Sequence, residues 1–131
     1  MRGWCNGSAG FVHVWLLAHA VFGTREYAQL AMGAAWATCD GGENDGSDLC
    51  CGYAGRAYAL LAIYRHTGQG DWLRRALRLT RHAVAGLGGY PSELTSLYKS
   101  GLGAALLAIE LERPELARMP LFEHEGWPAR R

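Results

Sequence analysis

Several ordinary signals are missing from this chain. It has no run of basic residues, no acidic tail and no low-complexity tract, and its 131 residues sum to a formal charge of +1. That balance gives no electrostatic reason to expect nucleic acid or an anionic membrane as a partner. It also has no long hydrophobic run. The most apolar stretch, 11–22, is interrupted by His13 and His19 and falls well short of the roughly 20 apolar residues a spanning helix needs. Because Trp4-Cys5-Asn6-Gly7 precedes it rather than a basic segment, it does not read as a secretory signal. The chain is therefore expected to be cytoplasmic, where its four cysteines are free or metal-bound rather than disulfide-paired. Only 4 prolines are present against 18 glycines, and the glycines separate apolar segments, so they punctuate structural elements rather than mark a disordered linker.

The sequence repeats itself. Cys5-Asn6-Gly7-Ser8-Ala9-Gly10 lies over Cys50-Cys51-Gly52-Tyr53-Ala54-Gly55 at a shift of 45 residues. At the same shift Leu16 falls on Leu61, Gly23 on Gly68, Tyr27 on Trp72 and Ala31 on Ala76. A third copy starts at Tyr98-Lys99-Ser100-Gly101-Leu102-Gly103. Each copy reads as a helical hairpin, with first helices over 10–22, 55–66 and 103–112 and second helices over 25–38 and 71–85. The first helices are apolar nearly all round, which predicts burial on every side. The helix at 71–85 has two faces: Trp72, Leu73, Ala76, Leu77, Leu79, Ala83 and Val84 form one, and Arg74, Arg75, Arg78 and Arg81 the other. First helices thus form an inner layer and second helices an outer one. Repeats of this length suit a solenoid or an α/α toroid equally. In a toroid the glycine turns that open the inner helices gather at one end of the ring, and the two cysteine turns favour that arrangement.

Cys5, Cys50 and Cys51 occupy equivalent or adjacent points of successive repeats. Side-by-side packing would bring their thiolates together into a set suited to zinc, with a fourth tetrahedral position left open as in catalytic sites. Without a CxxC pair, spacing alone leaves this reading level with one in which the cysteines are small buried hydrophobes. Cys39 is expected in the core. His13 and His19, on the first inner helix, are weak candidates for a general acid. His66 and His82 are expected at the surface near helix ends, and His124 is a remote candidate for a fourth ligand. The loop 40–48, with Glu43, Asp45 and Asp48, lacks calcium-loop spacing and reads as a connection. The arginines of 71–85 read as a solvated face, and the tail 119–131 is expected to fold back over the last hairpin.

Three motifs carry a family resemblance. Gly3-Trp4-Cys5-Asn6-Gly7-Ser8-Ala9-Gly10 resembles the Trp-Cys-x-Gly-x-x-Gly motif of lanthionine synthetase C proteins. Leu49-Cys50-Cys51-Gly52-Tyr53-Ala54-Gly55 resembles their Leu-Cys-His-Gly-x-x-Gly motif, and Ser96-Leu97-Tyr98-Lys99-Ser100-Gly101-Leu102-Gly103 the Ser-Leu-Tyr-x-Gly segment of their last repeat. The resemblance spans nearly the whole chain in the family's order. It implies an all-α, α/α toroid with a catalytic zinc at its mouth, held by Cys5, Cys50 and Cys51. Cys51 stands where most of the family has His and resembles the Cys-Cys version of some bifunctional members.

The implied activity is zinc-dependent addition of a peptide cysteine thiol to dehydroalanine or dehydrobutyrine, closing a thioether ring in a precursor peptide whose Ser and Thr have been dehydrated. The alternative is a non-catalytic module that holds zinc and a small thiol such as glutathione. Full family domains are longer, and nothing here matches the Asp and His that earlier repeats supply to handle protons. Residues 1–131 are therefore expected to be the C-terminal part of a longer toroid domain, with only the last repeats of the ring and with upstream repeats missing. The parent is expected to be the cyclase, with a dehydratase or kinase-like domain as a candidate upstream fusion, and the isolated chain weak or inactive.

Overall fold

The structure is a computed structural model that describes residues 1–39, 45–91 and 95–123. Among these residues the regular elements are all helical: α1 (Ser8–Phe22), α2 (Arg25–Cys39), α3 (Tyr53–Thr67), α4 (Gly70–Ala85), a single 3-10 turn (Leu87–Gly89) and α5 (Leu102–Glu110). The fold is all-α, as expected.

The repeat is exact at the level of helix starts. α1 and α3 begin 45 residues apart, and so do α2 and α4. Helices α1 and α3 both end on a glycine in the left-handed region, Gly23 at φ 69° and Gly68 at φ 70°. Each of these donates its N–H to the carbonyl four residues back, at 2.8 Å, a stop that other residues adopt only with strain. Both helices start two residues earlier than the apolar pattern predicts, because Gly7 and Gly52 are the extended residues that precede the first turn.

A second glycine set explains why the third copy is genuine. Cβ atoms at Gly10, Gly55 and Gly103 would lie 2.1 Å from the Trp4 carbonyl oxygen, 2.0 Å from that of Leu49 and 2.8 Å from that of Leu97. In each copy the chain doubles back onto the carbonyl six residues earlier, and only hydrogen fits there.

Helices α1, α3 and α5 form one layer. α2 packs on α1 and α3, and α4 on α3 and α5, which is the layer order of an α/α toroid. Helix α3 lies at the centre and touches all four of its neighbours. Every residue of 54–63 is buried, Arg56 and Tyr58 included. A buried guanidinium needs partners. Arg56 donates through Nε and Nη2 to the Thr38 carbonyl (3.1 and 2.7 Å) and pairs through Nη1 with Asp45. Tyr58 donates to Glu110 at 2.9 Å.

Burial on every side does not hold for α1. Only Ala9, Val12 and His13 are buried, while Phe11, Val14, Val21 and Phe22 are exposed. The apolar composition of α1 is not matched by neighbours among the described residues, since α2 and α3 cover only part of its circumference.

Helix α4 is two-faced as expected: Trp72, Ala76, Leu79 and Ala83 are buried and Arg74, Arg78 and Arg81 exposed. Two residues depart from the pattern. Val84 is exposed, and Arg75 lies half-buried with its guanidinium 4.6 Å from the Trp36 ring centroid, a cation–π contact that covers apolar surface. No helix among the described residues is long and apolar enough to cross a membrane.

Candidate metal centre

Three turns meet at one end of the helical layer, joined through their backbones. Trp4 and Cys5 donate N–H to the Cys50 carbonyl (2.8 and 3.2 Å), and Cys50 donates to the Tyr98 carbonyl (3.0 Å). The turn of each repeat is thus stitched to the next. Asp48 caps the second turn by accepting from the Cys51 N–H at 2.9 Å. Tyr90 holds that carboxylate with its hydroxyl (3.1 Å) while accepting from the Ser47 N–H (2.8 Å). Trp4 packs its ring against Tyr98 (centroids 5.0 Å) and edge-on to Phe122 (5.9 Å), fixing the start of the first turn against the third.

These contacts bring Cys5, Cys50 and Cys51 together. Their sulfurs all lie within 4.8 Å of one another, with Cys5 Sγ 3.4 Å and Cys50 Sγ 3.7 Å from Cys51 Sγ. Tetrahedral zinc with Zn–S bonds of ~2.3 Å sets its sulfurs about 3.8 Å apart. The cluster therefore matches the spacing of a soft divalent metal and could hold one. Cys50 is buried and Cys5 and Cys51 are exposed, so the open side faces solvent.

The protons on the sulfurs are unequally held. The Cys51 thiol is pushed up to about 12, first by its hydrogen bond with Cys5, then by burial and by Cys50. For Cys50, burial pushes upward, but hydrogen bonds from Cys5, Cys51 and Lys99 outweigh it and bring the thiol below its ordinary value. Three thiols this close cannot all ionise without a compensating cation, and metal binding would displace their protons.

The remaining candidates lie elsewhere. Cys39 is buried in the core, 5% exposed. His19 stands in the last turn of α1, about 16 Å along the helix axis from its start; its Nδ1 donates to the Thr24 carbonyl (2.9 Å) and its ring meets His66 edge-on. The helix does not bring it to the cysteine turns.

His13 is nearer the cysteine end and buried. Its Nδ1 is 3.8 Å from Glu123, its ring packs edge-on to Phe122, and its Nε2 has no hydrogen-bond partner among the described residues. Burial drives its pKa down to about 4 against the pull of Glu123, with Arg65 adding to the lowering, so the imidazole is neutral at pH 7. His66 and His82 are exposed. His124, Glu43 and the end of the tail lie outside the described residues. The described start of the tail does fold back: Met119 is fully buried, and Arg65 holds both the Ala117 carbonyl and Glu123.

The sequence reading missed Asp48, Tyr90 and Lys99, which brace or contact the cysteine turns. For Lys99 a signal existed in its place beside Tyr98, within the third copy of the turn. For Asp48 and Tyr90 there was none, since a carboxylate in a glycine-rich connection and an isolated Tyr each look like ordinary loop residues.

The chain is similar to known proteins. Glutathione S-transferase LANCL1 of Danio rerio is 31% identical over 128 residues, covering 92% of this chain and 31% of the relative. The chain thus spans about a third of the length of that protein. A family model described as lanthionine synthetase C-like protein matches residues 1–105. The matched region contains all three turns and all three clustered cysteines, and the chain belongs to the lanthionine synthetase C-like family.

Proposed function

We propose that residues 1–131 are the zinc-bearing C-terminal part of a longer α/α toroid domain that forms thioether rings, with Cys5, Cys50 and Cys51 as the metal ligands. The observation that carries this reading is the convergence of three sulfurs from two repeat turns within 4.8 Å. Three protein ligands leave one tetrahedral position for a substrate sulfur. Zinc bound there would lower the pKa of that thiol, so that thiolate is present at neutral pH.

The reaction is the addition of a cysteine S–H across the double bond of dehydroalanine or dehydrobutyrine in the same precursor peptide. One C–S and one C–H bond form, the S–H and π bonds break, and nothing leaves. This chain contributes the sulfur cluster, the backbone bonds that fix it and the Lys99 cation beside Cys50. Its proton supply is poor. His19 is remote along α1, and neutral His13 is a weak donor at pH 7. Lacking a positioned acid reduces rate by about 10²–10⁴, so the chain alone should bind zinc and thiols but close rings slowly. The setting is cytoplasmic.

A second reading takes glutathione as the thiol at the same site without ring formation. It is favoured by the name of the Danio rerio relative, a glutathione S-transferase. Incubation with a dehydrated precursor peptide separates the two. Residual free thiols are counted by alkylation and mass spectrometry, alone and after joining the chain to upstream repeats of a family domain. The cyclase reading expects slow loss of thiols for the chain alone, fast loss for the joined form and none for Cys50→Ala in it. Glutathione binding with no thiol loss in either form would favour the second reading.

A further inference from the structure

The described start of the tail grips two of the three turns that meet at the cysteine cluster. Tyr98, in the third turn, donates its hydroxyl to the Pro120 carbonyl. Two residues on, Phe122 meets the Trp4 ring of the first turn edge-on, with centroids 5.9 Å apart. Trp4 and Tyr98 also pack on each other at 5.0 Å, so the tail closes a ring of contacts through both. These are the residues whose backbones hold Cys50. Trp4 donates its N–H to the Cys50 carbonyl, and Cys50 donates its own to the Tyr98 carbonyl.

The tail is itself anchored. Ala117, Met119 and Pro120 are buried. Glu123 pairs with Arg65 of α3, lies 3.8 Å from His13 of α1 and accepts the Met119 N–H at 2.7 Å. The Arg118 N–H donates to Glu110 of α5 at 3.2 Å. Three inner helices thus hold the segment in place.

Between the two gripping residues the backbone is strained. Leu121 sits at φ 61°, the one non-glycine residue in the left-handed region among the described residues. It is 71% exposed, so burial of its own side chain does not account for the conformation. A leucine stays there only when its surroundings fix it. Here Pro120 is tied to Tyr98 on one side and Phe122 to Trp4 on the other.

We propose that residues 117–123 are a strap that positions the metal centre. Pro120 and Phe122, clamped on either side of Leu121, hold the first and third turns in the register that brings Cys5 to Cys50 and Cys51, and so set the affinity of the cluster for its metal. The proposal rests on the metal-site reading above. The strap acts through Trp4 and Tyr98, as outer partners of a metal site act by orienting its ligands. The coupling is reciprocal: if the strap tightens metal binding, the metal tightens the strap by the same factor.

The test measures zinc affinity of the full 131-residue chain by competition with a chromophoric chelator. Phe122→Ala removes the contact with Trp4. Leu121→Val, at an exposed position, makes the left-handed conformation costlier through β-branching and leaves the core intact. Each should raise the zinc Kd about 10-fold. Leu121→Gly adopts that conformation freely and should stay within about two-fold of wild type. Leu79→Ala, in the core of α4, should lower the melting temperature yet keep the Kd within about two-fold, which separates positioning from general loss of stability. In the wild-type chain, zinc should slow amide exchange of 117–123 about 10-fold. The strap is overturned if Phe122→Ala and Leu121→Val both keep the wild-type Kd within about two-fold, if Leu79→Ala loses as much affinity as they do, or if zinc leaves exchange of 117–123 unchanged. A wild-type chain that binds no zinc sinks the metal-site reading itself, and the strap with it.

Discussion

Helices α1 and α3 are the same element of two successive repeats, yet the less apolar of them is the better buried. In register, Phe11 corresponds to Arg56, Val14 to Ala59, Val21 to His66 and Phe22 to Thr67. Phe11 and Val14 are exposed while Arg56 and Ala59 are fully buried. Position in the array decides this. Helix α3 has helices on both sides and behind it, and among the described helices α1 has α2 and α3 as its main neighbours. A charged residue can enter the middle of such a layer only because the preceding loop and helix supply Asp45 and the Thr38 carbonyl as partners. Three positions are buried in both, Ala9 and Ala54, Val12 and Ala57, and His13 and Tyr58, and the polar pair is aimed at glutamates, Glu123 and Glu110.

The largest expected effect tests the first of these pairs. Arg56→Ala strands Asp45 and the Thr38 carbonyl and should destabilise the chain by about 3–5 kcal/mol. Phe11→Ala, at the corresponding position of α1, should cost less than about 1 kcal/mol. Urea melts of the two variants measure the difference, and equal costs would break the comparison.

His13 gives an effect of similar size with a pH signature. Its folded-state pKa of about 4 lies below the unfolded 6.5, so the unfolded chain binds the extra proton first. The stability tied to neutral His13 is complete above pH 6.5 and is lost as pH falls from 6.5 toward 4, by up to about 3 kcal/mol. His13→Gln should flatten that part of the stability–pH curve. An unchanged curve would show that the imidazole is not desolvated as its burial between α1 and the tail implies.

The smallest effect concerns the uncovered face of α1. Val21→Ser and Phe22→Ser should reduce hydrophobic-dye binding and self-association while changing stability by no more than about 0.5 kcal/mol. A stability loss as large as that of a core residue would mean that this face is covered after all.

The hairpins and the cysteine cluster were legible in the sequence because the repeat marks them with glycines that geometry requires: Gly23 and Gly68 to stop helices, Gly10, Gly55 and Gly103 to let the chain fold back on itself. Register alone then placed Cys5 beside Cys50 and Cys51. What the sequence could not show was neighbours. Apolar composition predicted a buried α1, but burial depends on what packs against it. How Arg56 is accommodated in the inner layer was not legible, because its partners are in another helix and in a connecting loop. Helix starts were misplaced by two residues because Gly7 and Gly52 carry no side-chain cap to announce them. The distance of His19 from the cysteine turns follows from α1 running unbroken to Phe22, which the sequence already indicates.

The central claim is that the three stitched turns make a metal centre, and metal content tests it most directly. The purified chain should carry about one zinc, with X-ray absorption showing sulfur-rich coordination near ~2.3 Å. Cys50→Ala or Cys51→Ala should remove the metal, and Cys39→Ala, in the core, should retain it. Full zinc occupancy in the Cys5/Cys50/Cys51 triple alanine variant would contradict the account.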